Sequence, residues 1–317
     1  MLAGMLAGCN AHQSALAPFG QEARETLWLT IILVVAATLL FAGVIAVYIR
    51  AVTAPEGRLD HRGGMRVVLW MGAIGPTILL TVLLLFALPA MRPLPSEPED
   101  LRIRVEGEQF WWRVAYDDGK AAPLVTANEV RIPVGRTVAF DLAATDVIHS
   151  FWIPGLAGKM DMIPGRTNRL VVKAEKAGRY RGACTEFCGL SHALMAFDVI
   201  AMDAAEFDGW LANARAAASG SEIARAGHPG AAVFDRYGCG ACHAIGGTGH
   251  NGRIGPDLTR YGDRLSLGAG TLEPTLANTA AFIRESGAFK PGSRMPSYKG
   301  MPEDDARAVA AYLESLK

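Results

Sequence analysis

The sequence predicts a membrane-anchored protein of several domains: two transmembrane helices, then a β-rich domain, then a smaller helical domain. Three observations support this order. Leu27–Ile49 and Val67–Met91 contain no charged residue, and about 20 apolar residues suffice to cross a bilayer. From Leu101 onward, apolar and polar residues alternate as they do in half-buried strands. Beyond residue 229 the pattern becomes helical again.

The two uncharged segments predict a helical hairpin over residues 27–91. Pro76 lies inside the second segment, where neighbouring groups can satisfy the carbonyl that a proline frees. The short loop between the segments holds more arginines than acids: Arg50, Arg58, Arg62 and Arg66 against Glu56 and Asp60. Arginine-rich short loops stay in the cytoplasm, so we expect both chain ends, and every domain after the hairpin, on the outer (periplasmic) face of a bacterial cytoplasmic membrane.

Residues 1–26 are predicted to form an external segment. Within it, Leu6-Ala7-Gly8-Cys9 resembles the lipobox of bacterial lipoproteins, which makes Cys9 a candidate for lipidation. The residues before Cys9 are too short for a full signal peptide and lack a positive start. The alternative is a disordered polar N-terminus with an incidental cysteine.

The remaining chain divides into three predicted regions. Residues 92–212 begin with a Pro-rich acidic exit from the membrane and continue as short strands broken by Gly and Pro, which predicts an antiparallel sandwich or barrel. Residues 213–228 are rich in Ala, Gly and Ser and predict a partly helical linker. Residues 229–317 predict a helical domain whose last helix opens with Pro302 and three acids.

The charge balance excludes one class of partner. Lysine and arginine total 31, and aspartate and glutamate total 31. Without a basic excess, the chain has no electrostatic footprint for nucleic acid.

Cys-Gly-Ala-Cys-His at residues 239–243 is the spacing of c-type haem attachment. The thiols of Cys239 and Cys242 would bond the haem, and His243 would ligate the iron. A redox dithiol would need a βαβ context, and a four-ligand zinc site would need a second cysteine pair. For the second axial ligand, Met295 in a Met-Pro loop is favoured over Met301, which stands where the last helix begins.

The stretch CTEFCGLSHALM brings together Cys184, Cys188, His192 and Met195. A disulfide would explain only the two cysteines, a zinc site would not use the methionine, and a helical core stripe conflicts with Gly189. Thiolate, thioether and imidazole ligands together favour copper. A second imidazole is then needed, and His149 at a predicted strand end in the same domain is the candidate.

Three segments, DVIHSFW, DMIPGRTN and CTEFCGLSHALM, resemble cytochrome c oxidase subunit II in the same order. CGACH and its surroundings resemble the cytochrome c domain that some of these subunits carry. The resemblance implies a cupredoxin-like β-sandwich that holds the dinuclear copper centre CuA, and an all-α class I cytochrome c domain. The implied CuA ligands are His149, Cys184, Cys188, His192, Met195 and the carbonyl of Glu186, whose side chain would reach a shared magnesium site.

The sequence departs from the family at the strand GEQFWWRVAY. Phe110 stands where the family usually has a tryptophan that receives electrons, and Trp111 follows it. Both are candidates for the point at which electrons reach the copper domain, and sheet packing is the alternative for both.

The resemblance also implies a role and partners. The chain would pass electrons from haem c to CuA and on to a catalytic subunit I that reduces oxygen and pumps protons, in a complex that includes subunit III. Cytochrome c or a quinol–cytochrome c reductase would be the donor. A nitric oxide reductase or nitrous oxide-type partner is the alternative, and a copper-delivery lipoprotein is a third reading that needs neither haem nor Met195.

Overall fold

The computed structural model describes residues 11–55, 57, 60–90, 101–117, 123–218 and 227–317. These residues form two compact units. Residues 24–94 make a helical unit, and the second unit comprises the residues before 24 and those from 95 onward. Cys9 and residues 219–226 of the predicted linker lie outside the described residues.

The helical unit contains two helices long and apolar enough to cross a membrane. The first is α1 (Gln21–Thr53). The second consists of α2 (His61–Leu69), a π-helical turn (Trp70–Ile74) and α3 (Gly75–Ala90). Pro76 is the second residue of α3, just after the π-helical turn, and π-turns of this kind are one way in which a helix absorbs a local break in its hydrogen bonding.

The β-rich domain contains ten strands in two five-stranded sheets. One sheet has the order β3-β2-β1-β5-β8 and the other β4-β10-β9-β6-β7. The strands are β1 (Leu101–Glu108), β2 (Trp111–Tyr116), β3 (Leu124–Ala127), β4 (Glu129–Pro133), β5 (Val138–Ala144), β6 (His149–Trp152), β7 (Met160–Met162), β8 (Asn168–Val172), β9 (Gly178–Cys184) and β10 (Ala196–Met202). Helix α4 (Ala204–Ala218) follows β10 and extends into the stretch predicted as linker.

The sandwich is confirmed, but its sheets are mixed rather than antiparallel. β1 pairs with β5 in parallel, and β4 pairs with β10 in parallel. Alternation of apolar residues reveals which face of a strand is buried, and it carries no information about strand direction. The two parallel pairs arise because the chain crosses between the sheets before it returns beside an earlier strand.

Aromatic side chains fill the space between the sheets. Phe151 of β6 stacks on Phe197 of β10 with ring centroids 4.4 Å apart, and Trp112 of β2 meets both rings edge-on. Gly182 in β9 lies beside Phe197, where an added Cβ would come within 2.1 Å of the ring. The core therefore requires glycine at this strand position.

The residues that precede α1 pack on the sandwich. The Phe19 amide donates to the carbonyl of Gly155 at 2.7 Å, and the Phe19 carbonyl accepts from Glu175 at 2.9 Å. The rings of His12, Phe19 and Tyr180 lie 5.2–5.4 Å apart. The segment 11–20 is thus part of the β-domain.

The C-terminal domain is helical and has its own hydrophobic core. Its helices are α5 (Pro229–Arg236), α6 (Leu276–Arg284), α7 (Ser286–Phe289) and α8 (Glu303–Glu314). Glu303, Asp304 and Asp305 occupy the first turn of α8, where negative charge complements the helix dipole. Phe234 and Tyr312 hold α5 against α8 edge-to-face.

Candidate copper and haem sites

The six predicted copper-site positions lie together at one end of the sandwich. His149 begins β6, and Cys184 ends β9. The loop that follows β9 carries Cys188, then a 3-10 turn that begins at His192, then Met195. We call residues 184–195 the copper-ligand loop.

The potential donor atoms form a compact cluster. The Sγ atoms of Cys184 and Cys188 are 3.9 Å apart, whereas a disulfide would place them about 2.05 Å apart. His149 Nδ1 lies 3.8 Å from Cys184 Sγ, and His192 Nδ1 lies 3.7 Å from Cys188 Sγ. The cluster therefore pairs each thiol with one imidazole.

Two weaker donors complete the cluster. Met195 Sδ lies 3.8 Å from Cys188 Sγ, and the carbonyl oxygen of Glu186 lies 3.2 Å from Cys184 Sγ. Both cysteines, His149 and Met195 are buried. Soft sulfur donors and imidazoles in a closed, buried cluster fit copper better than a hard cation that prefers oxygen.

The electrostatics of the cluster favour a thiolate. Hydrogen bonds with Cys188 and His149 lower the pKa of Cys184 to about 3 although the group is buried. The same interaction with Cys184 raises the pKa of Cys188. Burial disfavours a charged His149, but its hydrogen bonds with Cys184 and Asp146 raise the pKa of the ring above its ordinary value. A metal ion would replace these shared protons.

Asp146 is a functional residue that the sequence prediction missed. Its Oδ1 lies 2.9 Å from His149 Nε2, which leaves Nδ1 to face the sulfur. Its Oδ2 accepts from the backbone amide of Gln109 at 2.7 Å. Carboxylates in this position orient metal-ligating histidines. The sequence signal that could have identified it is its position, three residues before the candidate ligand His149.

Gln109 connects the copper site to a neighbouring cleft. Its side-chain Nε2 donates to the carbonyl of Cys188 at 2.5 Å. Gln109, Phe110 and Trp111 also line the apolar cleft that contains Cys239 and the other haem-attachment residues. The β1–β2 turn therefore contacts both candidate sites.

The cleft of the C-terminal domain fits a covalently attached haem. Cys239, Cys242 and His243 all line it. His243 Nδ1 lies 2.7 Å from the carbonyl of Pro256, so Nε2 is free to face a metal. Burial lowers the pKa of His243, which keeps the imidazole neutral and able to act as a ligand. Gly255 gives the ring room, since a Cβ there would lie 2.4 Å from it.

The structure separates the two candidate methionines. Met295 is half-buried and lines the cleft with His243. Met301 is 3% exposed and packs in the domain core. Ser286 Oγ donates to the Met295 carbonyl at 2.9 Å and fixes the backbone of this residue.

Arg264 gives an independent indication of a ligand in the cleft. Its guanidinium lines the cleft and donates to the Asp257 carbonyl. Its buried Nε has no hydrogen-bond partner among the described residues. A buried donor of this kind is costly unless an acceptor binds it, and the carboxylates of a haem would supply one. No sequence motif singled out Arg264.

Phe110 and Trp111 occupy different environments. Phe110 is 4% exposed, and its ring lies against Gly189 of the copper-ligand loop. Trp111 is half-buried beneath the guanidinium of Arg113, which lies 4.7 Å from its ring centroid. Both residues line the cleft, and Phe110 separates it from the copper-ligand loop.

Comparison with known proteins agrees with this geometry. Residues 113–202 match the family described as cytochrome c oxidase subunit II, periplasmic domain, and residues 228–317 match the cytochrome c family. Cytochrome c oxidase subunit 2 of Bacillus subtilis is 31% identical over 255 residues, which is 76% of this chain and 69% of that protein. The subunit 2 of Alkalihalophilus pseudofirmus is 42% identical over 215 residues, which is 68% of this chain and 61% of that protein.

Solved structures include the periplasmic domain of cytochrome oxidase subunit II from Bradyrhizobium japonicum. It is 32% identical, covers 38% of this chain and 96% of that chain, and superimposes with a TM-score of 0.35. The sequence relatives carry the assignment, together with the two family matches. The chain belongs to the cytochrome c oxidase subunit II family and carries a cytochrome c domain after its periplasmic domain.

Proposed function

We propose that this chain is the electron-transfer subunit of a haem-copper oxidase, and that electrons travel from haem c to CuA and then to a catalytic subunit that reduces oxygen. The observation that carries the proposal is the shared wall between the two sites. Gln109 lines the haem cleft and donates to the carbonyl of Cys188 at 2.5 Å.

The residues of both sites suit the transfer of single electrons. A bound haem and a bound copper pair would each change oxidation state by one electron. His243 and Met295 would hold the haem iron, and the five copper-site side chains with sulfur or imidazole donors on the copper-ligand loop and β6 would enclose the copper pair. Neither donor set includes a group suited to bind a substrate, so oxygen chemistry belongs to a partner subunit.

Electrons would reach the copper domain through its aromatic wall. Phe110 replaces the tryptophan that the family usually has, and its ring contacts Gly189 within the copper-ligand loop. Trp111 lies beside it in the wall of the haem cleft. A haem donor on the same chain would thus use this wall without a separate docking step.

The proposed topology places both chain ends and both redox domains on the outer face of a bacterial cytoplasmic membrane. Two helices are suited to span it, and the arginines of the short loop favour its cytoplasmic side. Residues 11–20 pack on the β-domain, as the hydrogen bonds of Phe19 show. The segments before and after the hairpin would therefore lie on one side.

The partners follow from the same proposal. Subunit I would accept electrons from CuA, with subunit III in the complex and cytochrome c or a quinol–cytochrome c reductase as the donor. Glu186 contributes its carbonyl to the cluster, which leaves its carboxylate free for a magnesium ion shared with subunit I. Membrane lipid would surround α1, α2 and α3.

The test is to purify the intact complex through a tag after Lys317 and supply reduced cytochrome c. We expect rapid oxygen uptake, little nitric oxide consumption, and two coppers and one iron in this chain. Nitric oxide turnover in place of oxygen uptake would move the chain to a nitric oxide reductase. A single labile copper without haem would contradict the electron-transfer role.

A methionine pair tests the haem site. Met295→Ala should leave the haem attached, lower its potential and open the iron to carbon monoxide, because the second axial ligand is lost. Met301→Ala is the matched control: it should cost about 2–5 kcal/mol of stability through a core cavity and leave the iron closed. Carbon monoxide binding is followed in the haem spectrum. The opposite pattern would assign the ligand to Met301.

A further inference from the structure

The ligand loops of the two sites touch each other. The copper-ligand loop ends at Met195, and the loop of residues 290–296, here called the methionine loop, carries Met295. Ser191 Oγ donates to the carbonyl of Pro291 at 2.6 Å. Lys290 Nζ donates to the carbonyl of Leu194 at 3.0 Å. Each hydrogen bond runs from one ligand loop to the other.

These contacts are buried. Ser191 is 0% exposed and Lys290 is 4% exposed. The Lys290 ammonium also donates to the carbonyl of Gly268 at 2.5 Å within its own domain. A buried cation and a buried hydroxyl need such partners, because each would otherwise lose its hydrogen bonds to water without compensation.

Close packing reinforces the hydrogen bonds. Gly292 has a φ of +77°, a conformation that glycine adopts without strain. A Cβ at this position would lie 3.1 Å from the Phe110 ring and 3.3 Å from Leu190 Cδ1. The backbone of the methionine loop therefore lies directly against the copper-ligand loop and its aromatic wall.

The other end of the methionine loop is fixed inside the cytochrome domain. Ser286 Oγ donates to the carbonyl of Met295 itself. Its own domain therefore holds the loop at Met295. Leu194 and Ser191, which lie next to candidate copper ligands, hold it at Lys290 and Pro291. A change in how well the copper-ligand loop is ordered therefore acts on the methionine loop within a few residues of Met295.

We propose that Ser191 and Lys290 are positioning residues that join the two ligand loops, so that copper binding in the sandwich orders the methionine loop of the cytochrome domain. The inference rests on the proposed ligand sets. Bound copper would hold residues 184–195 in one geometry, and the two hydrogen bonds would then restrict residues 290 and 291 as well. By thermodynamic reciprocity, a seated Met295 would also favour copper retention.

The experiment uses the full chain with haem attached, prepared without copper and then loaded with copper ions. Hydrogen–deuterium exchange is measured over residues 288–297, and carbon monoxide binding to the reduced haem is measured in parallel. Copper should slow both in the wild type, by about 5-fold or more. Ser191→Ala and Lys290→Met should each abolish most of this difference.

Ser315→Ala is the matched control, since Ser315 Oγ also donates to a carbonyl at 2.6 Å, but within the cytochrome domain. It should respond to copper as the wild type does. Equal exchange with and without copper in the wild type would overturn the proposal, as would an unchanged copper response in both variants. Should a variant fail to load copper, its copper-free exchange decides: faster exchange than the wild type supports the junction, and equal exchange refutes it.

The exchange measurement separates this inference from the proposed function. A complex that consumes no oxygen would refute the oxidase role, while a copper-dependent change in exchange over residues 288–297 would still support the junction. An active oxidase with no such change would refute only the junction.

Discussion

At the scale of single residues, Asp146 fixes which ring nitrogen of His149 faces the copper-ligand loop. Its carboxylate faces His149 Nε2 and also accepts from the backbone amides of Gln109 and Val147. Burial opposes its charge, but these hydrogen bonds and the nearby imidazole lower the pKa of the carboxyl. A charged Asp146 therefore fixes both the ring orientation and the β1–β2 turn.

Asp146→Ala should weaken copper retention by about 10–100-fold, the usual effect of removing a group that orients a metal ligand. Competition with a copper chelator, followed in the paired-copper absorption, measures the change in the full chain. Asp141→Ala is the control, since Asp141 pairs with Arg169 at the surface of the same sandwich. Equal retention in both variants would show that His149 needs no carboxylate.

The candidate ligands could be proposed from the sequence, whereas the residues that contact and orient them could not. Two cysteines, a histidine and a methionine within twelve residues limit the chemistry strongly. Gln109 lies 79 positions from Cys188, and nothing in its local sequence indicates that partner. Arg264 likewise becomes informative only when the structure shows that it lines the cleft and that its buried Nε has no hydrogen-bond partner among the described residues.

At the scale of elements, β1 shapes the copper site because Gly107 has no side chain. Gly107 lies in β1 opposite Trp112 of β2 and Ala144 of β5. A Cβ on Gly107 would come within 2.9 Å of the His149 ring. The strand thus offers a flat backbone surface against which the imidazole lies.

Gly107→Ala should displace the His149 ring or cost about 1–3 kcal/mol of stability through overpacking. Copper content and the thermal midpoint of the full chain, compared with the wild type, detect both outcomes. Gly158→Ala provides the reference, because a Cβ there meets nothing within 4 Å. If both variants match the wild type, the close packing of β1 on His149 affects neither copper binding nor stability.

The elements also show where pattern reasoning stops. The alternation from Leu101 onward correctly indicated the strands, and Gly135 with a φ of +77° lies in the turn between β4 and β5. The parallel pairing of β1 with β5 was missed, because pairing depends on contacts between segments distant in sequence. The alternation could not encode them.

At the scale of the whole molecule, the β-domain and the cytochrome domain have separate hydrophobic cores. Polar contacts join them, including a hydrogen bond from the Ala196 amide to the Ala269 carbonyl at 3.0 Å and one from Arg113 to the Arg253 carbonyl at 2.6 Å. We therefore expect each domain to keep its fold when the other is altered.

Replacing both haem-attachment thiols, Cys239→Ser with Cys242→Ser, should remove covalent haem and leave the paired-copper spectrum in place. Cys184, Cys188 and Met195 belong to the core of the β-domain, whereas Cys239 packs against the core of the cytochrome domain. Metal analysis of the purified complex should find two coppers and no iron in the chain. Loss of copper along with iron would mean that the sandwich depends on its neighbour for folding.

The packing of residues 11–20 on the sandwich has a consequence for biogenesis. Phe19 precedes both membrane helices, yet its hydrogen-bond partners, Gly155 and Glu175, are synthesised long after it. Given the proposed topology, residues 11–20 are exported before the hairpin and stay at the membrane surface until strands that emerge much later can bind them. Until then the Phe19 ring lacks its contact with Tyr180, so a chain halted during export would leave this ring exposed to proteases and chaperones. A completed sandwich would thus indicate that the whole hairpin has been inserted.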